Sequence, residues 1–163
     1  MGKRWYGNVI NRIEEGRGVP EIKEDMDITM YYWSDRECYY VTKVENQKRI
    51  QVKRYYVCAD HSQPGGMGHQ NWMYFKTQKE EHDYLKQYFP ETYKDDDEIV
   101  EPEPETWVFR YGKWKHEVTY TEDNYCDEKE LKSLQKNGYY KRYFDLSGSI
   151  SFGVRSYYYD WSF

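Results

Sequence analysis

Apolar and aromatic positions recur in this chain mostly at short range, in runs of six to nine residues separated by polar turns, and only three stretches carry helical spacing. Trp5, Val9, Ile10 and Ile13 share one helical face and Gly16 follows as a stop, which predicts a short amphipathic helix near 5–16. From residue 27 the pattern changes. Segments 28–33, 37–44 and 49–57 are rich in Tyr, Val, Ile and Thr and are divided by Ser34-Asp35 and by Glu45-Asn46-Gln47-Lys48, so they predict three strands of an antiparallel meander. The loop 60–69, with Pro64-Gly65-Gly66 and Gly68, precedes a fourth strand at 71–77.

A second helix is predicted at 79–89, where Tyr84, Leu85, Tyr88 and Phe89 line up before Pro90 stops it. The stretch Lys94-Asp95-Asp96-Asp97-Glu98 through Glu105 repels itself and contains two prolines, and it reads as an extended acidic linker over 94–105. Beyond it, 106–111 and 114–121 flank Gly112-Lys113 as a hairpin. Asp127 caps a helix near 127–137 that ends at Asn137-Gly138, and two more strand-like runs lie at 139–144 and 149–154. The expected architecture is α+β, mainly β. It is one unit over 1–163, with a first antiparallel lobe over about 1–93 and a second over 106–163, each a small curved sheet or partial barrel under short helices.

Composition sharpens this picture in one respect. Leu, Ile, Val and Phe are too few for an ordinary core, but 20 Tyr and 6 Trp supply the missing apolar area. A core built from rings suits strands and obliges each buried hydroxyl or indole N–H to find a partner. The net charge of −5 opposes a globally basic nucleic-acid binder. No apolar run reaches the length of a membrane span. The three cysteines (Cys38, Cys58, Cys126) are odd in number and widely spaced, and no apolar signal segment opens the chain. Free thiols in a cytoplasmic setting are therefore expected.

Candidate chemistry is sparse. Cys58, Asp60, His61 and His69 carry metal-ligating groups within twelve residues, but their spacing matches no standard zinc pattern, and a solvated turn is the plainer expectation. No nucleophile stands beside an obvious base, and Gly65-Gly66-Met67-Gly68 lacks the lysine of a phosphate-binding loop, so no catalytic residue and no cofactor are expected. Lys48, Arg49, Lys53 and Arg54 interleave with Tyr55 and Tyr56 in the manner of a single-strand nucleic-acid surface. The same composition also fits the wet face of an ordinary strand.

The residues that best fit a binding surface are Trp33, Asp35, Arg36, Arg54, Tyr56, Trp72, Arg155, Tyr158, Asp160 and Trp161. The ending from Gly153 to Phe163 is aromatic enough that it should pack on this domain or on a partner.

Taken in order, Trp33-Ser34-Asp35-Arg36, the basic strand after it, Gly66-Met67 with Gln70 ahead of an aromatic strand, Gly112-Lys113-Trp114, and the ending Gly153-Val154-Arg155 through Tyr158-Tyr159-Asp160 to Ser162-Phe163 resemble a small protein family of tailed bacteriophages and related mobile elements. Similar sequences carry a small or acidic residue after Gly66-Met67, where this chain has Gly68-His69. The resemblance brings no known activity, and it implies a setting in the infected bacterial cytoplasm. With no catalytic signature, the expected function is non-enzymatic binding of a host protein, a counter-defence inhibitor being one such protein. Binding of a nucleotide signal through Arg36, Arg54 or Arg155 is the alternative, and a virion or assembly component a further one. A homodimer is compatible with each.

Overall fold

The computed structural model describes residues 21–63, 65, 70–121, 127–138 and 140–159. The helix expected near 5–16 lies outside them. Among the described residues, nine strands and two helices follow in the order β1 (Asp27–Tyr31), β2 (Arg36–Asn46), β3 (Arg49–Arg54), β4 (Tyr56–Ala59), β5 (Trp72–Phe75), α1 (Gln78–Tyr88), β6 (Glu105–Arg110), β7 (Lys113–Thr119), α2 (Glu128–Lys136), β8 (Lys141–Asp145) and β9 (Ser149–Phe152). The fold is mainly β, with one seven-stranded antiparallel sheet in the order β8-β7-β6-β3-β2-β1-β9 and a two-stranded sheet of β4 and β5.

The β1-β2-β3 meander forms where the runs of Tyr, Val and Ile placed it. Two lobes with separate sheets do not form. β3 pairs with β6 across the acidic segment, Ile50 opposite Trp107, and β9 returns to pair with β1, Ile28 opposite Phe152. The physical reason is the shared inner face. Ile28, Met30, Tyr39, Val41, Ile50, Val52, Trp107, Trp114, Ile150 and Phe152 come from strands on both sides of residues 94–105 and bury one another in a single cluster. Each fully buried ring removes on the order of 150–250 Å² from water, about 4–6 kcal/mol before entropy is counted. Two separate half-sheets would expose much of that area.

The edge strands of the large sheet, β8 and β9, are joined by residues 146–148 alone. A link of that length spans at most about 14 Å, whereas seven flat strands would set their outer members about 29 Å apart. Trp114 of β7 and Phe152 of β9 accordingly stand with ring centroids 5.5 Å apart. Gly148 makes the link possible: a Cβ there would lie 2.2 Å from the Tyr31 carbonyl oxygen.

The predicted strand over 49–57 is two strands. At Tyr55 the chain leaves the large sheet, its N–H donating to the Cys38 carbonyl at 3.0 Å, and β4 turns away to pair with β5. Helix α1 packs on that small sheet, capped by the Thr77 hydroxyl, which accepts from the Glu80 N–H at 3.2 Å. The acidic stretch is mostly exposed, as expected, but it is anchored rather than free. Asp95 pairs with Lys86, Asp97 with His82 at 2.9 Å, and Glu101 Oε1 accepts the Gln78 N–H at 2.8 Å. The segment runs back along α1 and sets a carboxylate at the positive end of the helix dipole. Helix α2 starts at Asp127, whose carboxylate accepts from the Lys129 and Glu130 N–H groups at 3.0 and 3.3 Å, and Gly138 follows its end at φ +77°.

Candidate binding surface at the Trp33 turn and the docked tail

Trp33 sits in the turn between β1 and β2 that the Tyr32 N–H closes on the Asp35 carbonyl at 2.9 Å. Its side chain is 98% exposed, while Trp107 and Trp114 are 1% and 5% exposed in the core. Directly after the turn, Arg36 exchanges two backbone hydrogen bonds with Tyr158, at 3.0 and 3.2 Å. Its guanidinium donates to Ser156 Oγ at 3.1 Å and lies 5.3 Å from the Tyr158 ring centroid.

The chain after β9 is thus docked on its own domain through Tyr159. Thr29 Oγ1 donates to the Val154 carbonyl at 2.6 Å and accepts from the Ser156 N–H at 3.1 Å. The Tyr74 hydroxyl accepts the Tyr157 N–H at 3.2 Å, and the Gln70 amide donates to the Tyr159 carbonyl at 2.8 Å while its oxygen accepts the Trp72 indole N–H at 3.1 Å. Trp72 meets Tyr157 edge-on, centroids 4.6 Å apart.

Beneath the tail, Arg155 lies over the rings of Tyr74 and Tyr55, at 4.6 and 5.7 Å. Tyr55 donates to Asp27, and Cys38 and Tyr40 complete the buried cluster. Burial pushes the Cys38 thiol up to about 12, Arg155 pulling weakly the other way. Arg54 pairs with Glu37, which also accepts from the Tyr32 hydroxyl at 3.0 Å.

Of the residues singled out in the sequence, the structure therefore gathers Trp33, Asp35, Arg36, Trp72, Arg155 and Tyr158 around the tail, with Arg54 at its margin. Tyr56 does not join them. Val57 and Tyr74 face the ring cluster, so the alternation of a strand sends Tyr56 to the opposite face of the small sheet, where Phe75 meets Tyr84 of α1. Asp160 and Trp161 lie outside the described residues.

Two cations of the basic strand are engaged in ion pairs within the chain. Arg49 is held by Glu117 and Glu45, Arg54 by Glu37, and Tyr55 is buried.

Among the described residues no three His, Cys, Asp or Glu side chains converge, Cys58, Asp60 and His61 included. Asp60 Oδ1 accepts from the Ser62 N–H at 3.0 Å and so serves its own turn. The His61 ring packs among Tyr84, Tyr88 and Phe89. Cys58 is half-buried, and burial, with Glu81 and Asp60 adding to it, pushes its thiol up to about 11. His69 lies outside the described residues.

Two sets of residues were not among those expected to form a binding surface. Asp27, Tyr55, Gln70 and Tyr74 hold the tail, and no local pattern marks a residue whose partner is more than 80 positions away. Arg110, Tyr111, Lys115, Lys141, Arg142 and Tyr143 line a groove at the other end of the sheet. Their signal was the same mixture of basic and aromatic residues that drew attention to 48–56. No helix among the described residues is long and apolar enough to cross a membrane. Comparison of the chain with protein-family models, with curated proteins and with solved structures finds no match.

Proposed function

We propose that this chain is a non-enzymatic binding protein of phage or mobile-element origin, and that it holds a host protein on the surface around Trp33, with a partial barrel as the rigid support. The short link between the edge strands and the contact of Trp114 with Phe152 support the barrel reading. The phage origin rests on the ordered set of motifs from Trp33 to the aromatic ending.

The single observation that carries the binding reading is the 98% exposure of Trp33 in a chain that buries its other described indoles wholly or in part. An exposed indole on a short, hydrogen-bonded turn is a preorganised anchor, and Trp and Arg dominate the energetics of protein interfaces. Arg36, directly after the turn, with Tyr158 stacked on it and the half-exposed Tyr159 next in the chain, supplies the polar and aromatic mixture that such a rim uses. Burial pushes the Cys38 thiol up to about 12 and the Cys58 thiol up to about 11, so neither of these two described thiols is ionised at neutral pH.

The test compares immobilised wild-type and Trp33→Ala protein as baits in a bacterial lysate at physiological salt. One host protein retained in stoichiometric amount by the wild type, and depleted at least tenfold on the variant, is the expected result. An empty wild-type capture, or equal retention by both baits, overturns the reading.

A further inference from the structure

The turn between β2 and β3 marks the end of the sheet opposite Trp33, and the Phe109 N–H donates to the Lys48 carbonyl there at 2.8 Å, which brings the β6–β7 turn to the same end. Strands β6, β7 and β8 leave between them a shallow groove of about 460 Å³, lined by Arg110, Tyr111, Lys115, Lys141, Arg142 and Tyr143. Four cations and two phenol rings line it and no carboxylate does, in a protein of net charge −5.

Two of the cations are anchored by acids beyond the lining. Lys115 donates to Asp145 at 2.7 Å. Lys141 stands 3.5 Å from Glu117, a carboxylate held below its usual range by its hydrogen bonds to Arg49. Arg110 makes no ion pair with any described residue. Its guanidinium lies 4.2 Å from the Tyr143 ring centroid and 5.5 Å from that of Tyr111. A guanidinium stacked in this way keeps its N–H edge in the plane, ready for two oxygens of one phosphate.

The turn itself supplies a second, independent observation. Tyr111 and Gly112 have φ of +51° and +76°, the left-handed pair of a two-residue hairpin turn, for which Asn-Gly is the unstrained choice. A tyrosine with a bulky side chain takes the strained position instead, and its ring is 86% exposed beside Arg110. Strain held by a non-glycine residue at a groove lip points to a use for the side chain.

We propose that this groove binds a nucleoside polyphosphate, with Arg110 gripping the phosphates, Lys115 and Lys141 completing the positive field, and the Tyr111 ring stacking on the base. The volume falls in the range of small-ligand sites. A polymer is the poorer fit, because a nucleic acid running past the groove would meet a molecule of net negative charge. The site is separate from the Trp33 surface and stands or falls without it.

The test is calorimetric titration of ATP into the full chain at low ionic strength, with inorganic triphosphate as the control ligand and circular dichroism of each variant. Saturable one-to-one binding is expected, at least tenfold weaker in Arg110→Ala and several-fold weaker in Arg110→Lys, which keeps the charge and loses the planar fork. Tyr111→Asn suits the turn better than tyrosine, so it will fold, and it should weaken ATP several-fold while leaving inorganic triphosphate unchanged. Trp33→Ala should bind ATP as the wild type does. Four outcomes overturn the proposal: no saturable heat up to about 1 mM ATP, where the standard free energy of binding is about −4 kcal/mol; wild-type affinity in Arg110→Ala; equal affinity for ATP and inorganic triphosphate; or a fluorescent oligothymidylate that binds more tightly than ATP and is lost in Arg110→Ala, which would make the groove a single-strand surface.

Discussion

The inner face of the seven-stranded sheet and the ring cluster beside the two-stranded sheet are both closed to water, by different means. In the first, aliphatic side chains and aromatic rings from six strands meet, and shape and area do the work; even the Trp107 indole N–H has no partner among the described residues. In the second, Tyr40, Tyr55, Tyr74 and Tyr157 gather around Cys38, and polar groups are tied off one by one. Tyr55 donates to Asp27, Tyr40 donates to the Lys76 carbonyl at 3.1 Å, Tyr74 accepts from the Tyr157 N–H, and Arg155 covers two ring faces. The difference teaches how a chain poor in aliphatic residues uses tyrosine. Where many strands converge, rings serve as bulk, and where only two short strands and a tail are available, each ring must also be placed by a hydrogen bond.

The largest expected effect separates these two kinds of burial. Trp107→Ala should cost about 3–5 kcal/mol, measured by urea unfolding, because it empties the centre of the large cluster. Trp107→Phe should cost much less, since it keeps most of the ring and removes an N–H that has no partner among the described residues. A Trp107→Ala loss below about 1 kcal/mol would mean that the sheet closes over the gap, and the contrast with the tyrosine cluster would fail.

In the tyrosine cluster one oxygen should matter more than its size suggests. Tyr55→Phe leaves the Asp27 carboxylate without its donor and should cost about 1–2 kcal/mol, more than the removal of an unpaired polar group from the large core. The pH dependence gives a second reading of the same bond. Burial, then the hydrogen bond to Asp27, raises the Tyr55 hydroxyl above its usual 10.0. The stability this represents is complete below pH 10 and is lost as pH rises above it, because the unfolded chain gives up its proton first. The slope of stability against pH above 10 should therefore be shallower in Tyr55→Phe than in the wild type. Equal slopes would show that the bond to Asp27 does not hold the proton.

Much of the large sheet could be read locally, and little of the small one. The runs at 28–33 and 37–44 and the hairpin around Gly112 carry period-two patterning and turn residues, so strands and neighbours followed together. The run at 49–57 was legible as β but not as two strands, because Tyr55 suits a strand as well as it suits the bend where the chain changes sheets. Pairing of β9 with β1 adds the last strand to the sheet across more than 100 residues, and no local pattern encodes such a partner. The sites follow the same division. Arg36 and Tyr158 were singled out by residue type and meet in space, with Trp33 in the turn just before Arg36, whereas the groove around Arg110 is assembled only by the register of β6, β7 and β8.

The smallest effect sharpens the comparison most finely, because each thiol reports on one neighbourhood. Cys38 is 1% exposed among the rings, and Cys58 is half-buried on β4. In a Cys126→Ser protein at pH 8, a thiol near 11 is ionised in about one molecule in a thousand, so Cys58 should react with a disulfide reagent about a hundredfold more slowly than a free cysteine. Cys38 should not react until denaturant is added, since both its ionisation and its access are blocked. Introducing Tyr55→Phe should make Cys38 reactive while leaving the Cys58 rate unchanged, if hydrogen bonds rather than bulk keep the cluster shut. Should Cys38 react in the wild type as fast as Cys58, the rings must part readily in the native state. The tyrosine cluster would then be a hinge between the two sheets, and the tail that covers it a movable strap.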